Sequence, residues 1–188
     1  PPTKLGVKAG KSVSVETIIL SLVTKSANDS AAAIAEHLGG SEQGFARLMT
    51  AKARKLGMSS TVFRNASGLP DAEQHSTARD MALLAMTLLK QFPEYYGYFR
   101  TQEFYLGKTK VGPGIKFLDL YAPYADGLKT GFVCASGFNI VGSAVRDGRR
   151  LIAESFELAR AGGERIVLLV GDMAYYGRLG FQPVLPPG

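Results

Sequence analysis

The spacing of apolar residues changes near residue 99, and this change limits the folds that the chain can adopt. Upstream, apolar residues recur every three to four positions, which predicts helices over 14–24, 30–38, 41–56 and 78–90. Downstream, short apolar runs between turns predict strands over 104–106, 127–133 and 137–145. The sequence therefore predicts a helical part followed by a part built from strands.

Local signals refine this division. Thr77 followed by Asp80 resembles a capping box at the start of the fourth helix. Asp147-Gly148 predicts a tight turn that brings the following segment back along strand 137–145. Farther on, Glu154–Ala161 has a helical composition, and Arg165–Val170 is typical of a buried strand.

Composition excludes several classes of protein. The 188 residues are enough for one domain with a substantial core. The net charge of +6 comes from scattered lysines and arginines, which favour solvated surface charge over a nucleic-acid site. Cys134 alone excludes an internal disulfide, and its place near a strand favours a packed side chain over a reactive thiol. With only His37 and His75, a histidine-rich metal site is not expected.

Two short motifs carry residue types used in acyl transfer. In Ser26-Ala27-Asn28, between two predicted helices, the hydroxyl can pass a proton and the amide can bind a peptide group. In Lys129-Thr130-Gly131, on a predicted strand, the first two side chains can hold a carboxylate, and the glycine lets a substrate backbone approach. Taken separately, the first motif could be a helix cap and the second an exposed strand end.

Residues 3–153 resemble the D-alanyl-D-alanine carboxypeptidases, which are low-molecular-weight penicillin-binding proteins marked by S-x-x-K, S-x-N and K-T-G in that order. Ser26-Ala27-Asn28 matches the second signature, and Lys129-Thr130-Gly131 matches the third. The similarity also covers segments in the family's order at 4–10, 23–31, 53–58, 63–70, 77–82, 126–131 and 135–139.

The resemblance implies an α+β fold of the penicillin-binding-protein and β-lactamase type, with a helical subdomain packed with an antiparallel sheet. It implies removal of the terminal D-alanine from peptidoglycan stem peptides through an acyl-enzyme, at a periplasmic or other extracytoplasmic location, and binding of β-lactams. Ser26 and Asn28 would be catalytic, and Lys129, Thr130 and Gly131 would bind substrate. No metal or organic cofactor and no nucleic-acid partner is implied.

The first signature, which carries the acylated serine, is missing. None of the 13 serines has a lysine three residues later, and only 25 residues precede Ser26. We therefore expect a domain that is incomplete at its N-terminus, and a chain that neither hydrolyses D-Ala-D-Ala nor reacts with penicillin.

Residues 154–188 resemble instead the C-terminal part of a GCN5-related N-acetyltransferase. The similarity lies in Arg165–Val170, Gly171-Asp172 and the tyrosine-rich run 175–181, and it would make Tyr176 a general acid. About 35 residues cannot hold acetyl-CoA alone. We therefore expect a carboxypeptidase-like part over 1–153 and a joined fragment over 154–188, whose helix and strand would cover an open sheet edge.

Two other functions remain open from the sequence. The chain could be a non-catalytic module that keeps the Lys129 carboxylate clamp and recognises stem peptides without cutting them. It could also be a fusion relic in which the tail derives from an N-acetyltransferase.

Overall fold

The computed structural model describes residues 3–112, 114, 116–134, 136–157 and 165–170. Its helices are α1 (Val15–Lys25), α2 (Asn28–Gly39), α3 (Glu42–Lys55), α4 (Ala78–Gln91), a 3₁₀ helix (Pro93–Arg100) and α5 (Lys116–Leu120). Its strands are β1 (Phe104–Leu106), β2 (Thr109–Val111), β3 (Ala125–Val133), β4 (Gly137–Arg146), β5 (Arg149–Glu157) and β6 (Arg165–Val170). Within these residues, no helix combines the length and apolar character needed to cross a membrane.

Side-chain caps explain where the main helices begin. The hydroxyls of Ser14, Ser41 and Thr77 accept hydrogen bonds from backbone N–H groups in the first turns of α1, α3 and α4. The close passage between α2 and α3 depends on Gly39, because a Cβ there would lie 2.5 Å from the backbone nitrogen of Phe45. These features place α1, α2 and α3 as consecutive helices joined by very short turns.

The four long strands form one antiparallel sheet in the order β3–β4–β5–β6. The predicted hairpin is confirmed: Asp147 and Gly148 both have positive φ, 51° and 72°, as a two-residue type I′ turn requires. The register places Lys129 of β3 opposite Val141 of β4. In the described part of the chain, β3 therefore forms one edge of the sheet and carries the K-T-G motif along it.

The helical part packs on this sheet through α4 and the 3₁₀ helix. Ala85 and Tyr96 from these helices meet Leu128 and Ile152 from the sheet in a buried cluster. Burial of such apolar surface is the main favourable contribution to the folded state. The arrangement confirms the expected α+β class, with helices packed on an antiparallel sheet.

One predicted helix is wrong. Residues 154–157 of the expected helix 154–161 belong to β5, which pairs with β4 as far as Phe156 opposite Asn139. Residues 158–161 lie outside the described residues. The hairpin turn starts a ladder whose backbone hydrogen bonds outweigh the helix preference of Glu154 and Glu157. The predicted strand Arg165–Val170 is present as β6, antiparallel to β5.

Candidate active site

Ser26 ends α1 in a left-handed backbone conformation, with φ 53° and ψ 46°. A non-glycine residue there is strained by about 1–2 kcal/mol. The conformation turns the chain sharply, so that α2 begins two residues later, at Asn28. Between them, Ala27 is 0% exposed. The buried methyl group anchors the turn, while Ser26 stays on the surface.

Lys129 reaches this turn from the edge strand β3. Its Nζ donates to Ser26 Oγ at 2.5 Å and to the carbonyl oxygen of Thr130 at 2.6 Å. Residues 103 positions apart in the sequence are thereby in direct contact. Burial lowers the pKa of the Lys129 ammonium, since desolvation disfavours the charged form. A lysine and a serine hydroxyl in this contact can exchange a proton with a third group.

The other predicted site residues differ in whether they already make hydrogen bonds within the protein. Asn28 donates to the carbonyl oxygen of Thr3 from both its backbone N–H, at 2.8 Å, and its side-chain Nδ2, at 3.2 Å. Thr130 and Gly131 are exposed along the strand edge. Apart from Gly131 and its two chain neighbours, none of the described residues has an atom within 4 Å of the position that a Cβ of Gly131 would occupy. The edge is therefore open where a substrate backbone would run.

Sequence reasoning missed a buried polar cluster three residues before Lys129. Asp126 is 4% exposed, and both of its oxygens accept from Arg150 Nη1, at 2.8 and 2.7 Å. Ser143 Oγ donates to the same carboxylate. The hydroxyl of Tyr96 lies 2.5 Å from Ser143 Oγ, and the Arg150 guanidinium lies 4.9 Å from the centre of the Tyr96 ring. The cluster joins the 3₁₀ helix to β3, β4 and β5.

The cluster behaves as one unit. Because the Ser143 hydroxyl hydrogen is used toward Asp126, the Tyr96 hydroxyl is the donor in their contact. Burial raises the pKa of Tyr96, with the Asp126 charge adding to the increase. Asp126 follows Ala125 at the start of β3, and its partner Arg150 is 24 positions away. No short sequence motif joins Asp126 to Arg150, so local sequence patterns could not have predicted this pair.

The structure also bears on the expectations about the cysteine, the histidines and metal binding. The packed position expected for Cys134 is wrong, because β3 ends at Val133 and Cys134 lies exposed in the following turn. His75 is exposed, and its backbone pairs with Val62 in an isolated bridge. Among the residues that the structure describes, no group of three His, Cys, Asp or Glu side chains could hold a metal ion. Tyr176 lies outside the described residues.

The comparisons with known proteins agree with this fold. A sequence model of the D-alanyl-D-alanine carboxypeptidase family matches residues 3–158. The D-alanyl-D-alanine carboxypeptidase DacC of Escherichia coli is 37% identical over 147 residues, which are 78% of this chain and 37% of that protein. The crystal structure of the carboxypeptidase DacD from Francisella tularensis matches with a TM-score of 0.78 and 29% identity, over 85% of this chain and 51% of that one.

A third similar protein was solved with a ligand. Penicillin-binding protein D2 from Listeria monocytogenes, in its ampicillin-bound form, matches with a TM-score of 0.73 and 32% identity, over 85% of this chain and 66% of that one. The chain spans little more than a third of the length of its relative DacC. Because the family match covers most of its residues, this chain belongs to the D-alanyl-D-alanine carboxypeptidase family.

Proposed function

We propose that this chain binds peptidoglycan stem peptides ending in D-Ala-D-Ala, through the substrate-binding and proton-transfer part of a serine-type carboxypeptidase site. The observation that carries the proposal is the 2.5 Å contact between Lys129 Nζ and Ser26 Oγ. It joins the S-x-N turn to the K-T-G strand edge. Membership of the carboxypeptidase family supports the same substrate class.

Each side chain then has a role that follows from its position. The Lys129 ammonium and the Thr130 hydroxyl hold the terminal carboxylate, since charge-assisted hydrogen bonds to carboxylates are strong. The open edge at Gly131 admits the peptide backbone. Asn28 binds a peptide amide, and the Ser26 hydroxyl, which Lys129 Nζ contacts, would pass a proton to the leaving amine in a site that also held a nucleophile. These are the tasks of a site that positions a peptide for acyl transfer.

The acyl-enzyme step requires a nucleophile in addition to these residues. No serine of this sequence stands in an S-x-x-K motif. A serine site without its nucleophile keeps only the residual catalysis that binding and electrostatics provide. We therefore propose that this chain binds stem peptides without turning them over, in the extracytoplasmic space where peptidoglycan lies.

The proposed function does not include the acetyltransferase resemblance of residues 154–188. The resemblance of residues 154–188 to N-acetyltransferases, the boundary at residue 153 and the role of Tyr176 remain predictions. Two observations favour one continuous fold instead: the carboxypeptidase family match extends to residue 158, and β6 pairs with β5 in the same sheet. We propose no acetyl transfer, and expect no binding of acetyl-CoA.

Incubation with benzylpenicillin is expected to leave the intact mass of the purified chain unchanged. The reason is the missing acylated serine. The measurement is mass spectrometry of the whole protein, with penicillin-binding protein D2 from Listeria monocytogenes, which was solved in its ampicillin-bound form, as the positive control. A one-to-one adduct that disappears in a Ser26→Ala variant would instead identify Ser26 as a nucleophile, and the proposal of binding without turnover would fall.

The Lys129→Met variant is expected to bind an acyl-L-Lys-D-Ala-D-Ala peptide about ten- to a hundredfold more weakly, because a hydrogen bond to a charged group contributes about 1.5–3 kcal/mol. Isothermal titration calorimetry measures the dissociation constant. Lys110→Met is the matched control, since Lys110 is exposed and pairs with Glu103 away from β3.

A second ligand separates the carboxylate clamp from a general effect of charge. The same peptide ending in a carboxamide has no carboxylate for Lys129, so its weaker binding should be insensitive to Lys129→Met. Equal losses for the acid and the amide would contradict the proposed clamp.

A further inference from the structure

The N-terminal segment of the described chain lies across the start of α2. We call residues 3–6 the N-terminal strap. The carbonyl oxygen of Thr3 accepts from the backbone N–H of Asn28 at 2.8 Å and from the Asn28 side-chain Nδ2 at 3.2 Å. The strap therefore engages the amide that the proposed function assigns to substrate binding.

A single carboxylate fastens the strap to the helix. One oxygen of Asp29 accepts from Leu5 N at 2.8 Å and from Ser30 N at 3.0 Å, and the other accepts from Gly6 N at 2.8 Å. Gly6 has a φ of 84°, which glycine adopts without strain. Asp29 stands in the first turn of α2, where the helix dipole favours a negative charge. The carboxylate thus joins two segments 24 positions apart.

We propose that Asp29 is a positioning residue, which orients the Asn28 amide for peptide binding by holding the N-terminal strap in place. With Nδ2 committed to the Thr3 carbonyl, the Oδ1 of Asn28 has one orientation in which to meet a peptide N–H. Without the strap, the amide turns about its last bond and presents either atom. The inference rests on the proposed function for the role of Asn28, but its structural part can be tested without any ligand.

Protonation of Asp29 by lowering the pH is a way to test whether its carboxylate holds the N-terminal strap. Partial burial alone would raise the pKa of Asp29. Hydrogen bonds from the backbone N–H groups of Leu5, Gly6, Ser30 and Asp29 itself lower the pKa by more, so its net shift is downward. The charged side chains on the neighbouring elements are Lys4 and Lys8 beside the strap, Glu16 and Lys25 of α1, and Glu42, Arg47, Lys52, Arg54 and Lys55 of α3. The backbone amide signals of Glu16 and Glu42, followed in the same titration, report any change at those residues separately from a change at Asp29.

Because the pKa of Asp29 is lowered in the folded protein, the strap contacts become weaker as the pH falls. The strap contacts stabilise the folded protein fully above the ordinary aspartate pKa of about 3.9, and this contribution is lost as the pH falls through the lower folded value. In a ¹⁵N NMR titration, we expect the Leu5 and Gly6 amides and the Asn28 side-chain NH₂ to shift together, with one midpoint below 3.9. An Asn28 signal that stays unchanged while the strap amides titrate would overturn the inference.

Two variants test the same point by independent routes. Asp29→Asn removes the charge and one acceptor oxygen, and Leu5→Pro removes one donor of the strap without touching α2. Both are expected to move the Asn28 NH₂ signals in the same direction and to weaken binding of the D-Ala-D-Ala peptide about fivefold, as expected for the loss of one hydrogen bond. Asp147→Asn is the control, because Asp147 is an exposed turn residue with a φ of 51° that asparagine tolerates.

The outcomes separate the two proposals. If the unaltered chain binds no peptide, the proposed function fails, while the NMR signals of Asn28 still decide whether Asp29 positions it. If the chain binds peptide and both variants bind equally well with unmoved Asn28 signals, the positioning role is wrong. If Asp29→Asn does not fold, Leu5→Pro and the titration of the unaltered chain decide the question.

Discussion

Replacing Arg150 with methionine is expected to lower the free energy of unfolding by about 3 kcal/mol, because removing one partner leaves a buried charge uncompensated. Asp126 would keep only its Ser143 contact in a buried position. Methionine keeps an unbranched aliphatic side chain, so the loss reports the guanidinium, both its charge beside Asp126 and its contact with the Tyr96 ring. The estimate stands at the low end for a buried pair because the Arg150 side chain is 32% exposed. Urea denaturation followed by circular dichroism measures the change.

Two further variants make this prediction specific. Arg146→Met removes an arginine from the other strand of the same hairpin, where the side chain is 64% exposed and stacks on Tyr124. It should cost at most about 1 kcal/mol. Adding Asp126→Asn to Arg150→Met should recover part of the stability, since both charges are then gone. Equal losses for Arg146→Met and Arg150→Met would show that the cluster is not the source of the effect.

Replacing Asp80 with alanine is expected to cost about 3 kcal/mol, because two donors lose their acceptor in a buried environment. Asp80 is 1% exposed. Its Oδ2 accepts from Ser60 N at 2.8 Å and from Thr61 Oγ1 at 2.7 Å, and Thr61 is itself fully buried. The carboxylate thereby fastens the turn after α3 to the first turn of α4. The same urea measurement applies.

Asp80→Asn is the conservative comparison. It keeps one acceptor oxygen of the same size, so we expect a loss of about 1 kcal/mol. The ion pair with Arg79 contributes little to the difference, because that side chain is 72% exposed and the separation is 3.6 Å. If asparagine and alanine cost the same, the hydrogen bonds to Ser60 and Thr61 are not what stabilises the turn.

Asp80 also shows how far local sequence signals reach. The capping box predicted with Thr77 is half present: Thr77 Oγ1 accepts from Asp80 N at 3.2 Å, while the Asp80 carboxylate turns to Ser60 and Thr61. The helix start was predictable because it depends on residues three positions apart. The partners of the carboxylate were not, since they are 19 and 20 positions away.

The contrast between local and long-range contacts also explains which parts of the fold and the site could be predicted. Helices α1 to α4 were predicted to within about two residues, because periodic apolar residues and caps act locally. The expectation that Ser26 and Lys129 belong to one site came from family resemblance, and the contacts of Asp126 and Asp29 were not predicted. Each of the latter joins residues 24 positions apart, through chain reversals that no short motif encodes. The helix expected over 154–161 was wrong over 154–157 for the same reason, because pairing with β4 decided the conformation of these residues.

The burial of Ala27 has a consequence for how this site can vary. The residue carries no chemistry, yet its methyl group is 0% exposed between Ser26 and Asn28. Well-packed interiors tolerate added volume poorly. A larger side chain here would push the turn outward and displace a hydroxyl and an amide together. The middle position of the motif is therefore limited by size, whereas the proposed function limits its flanking positions.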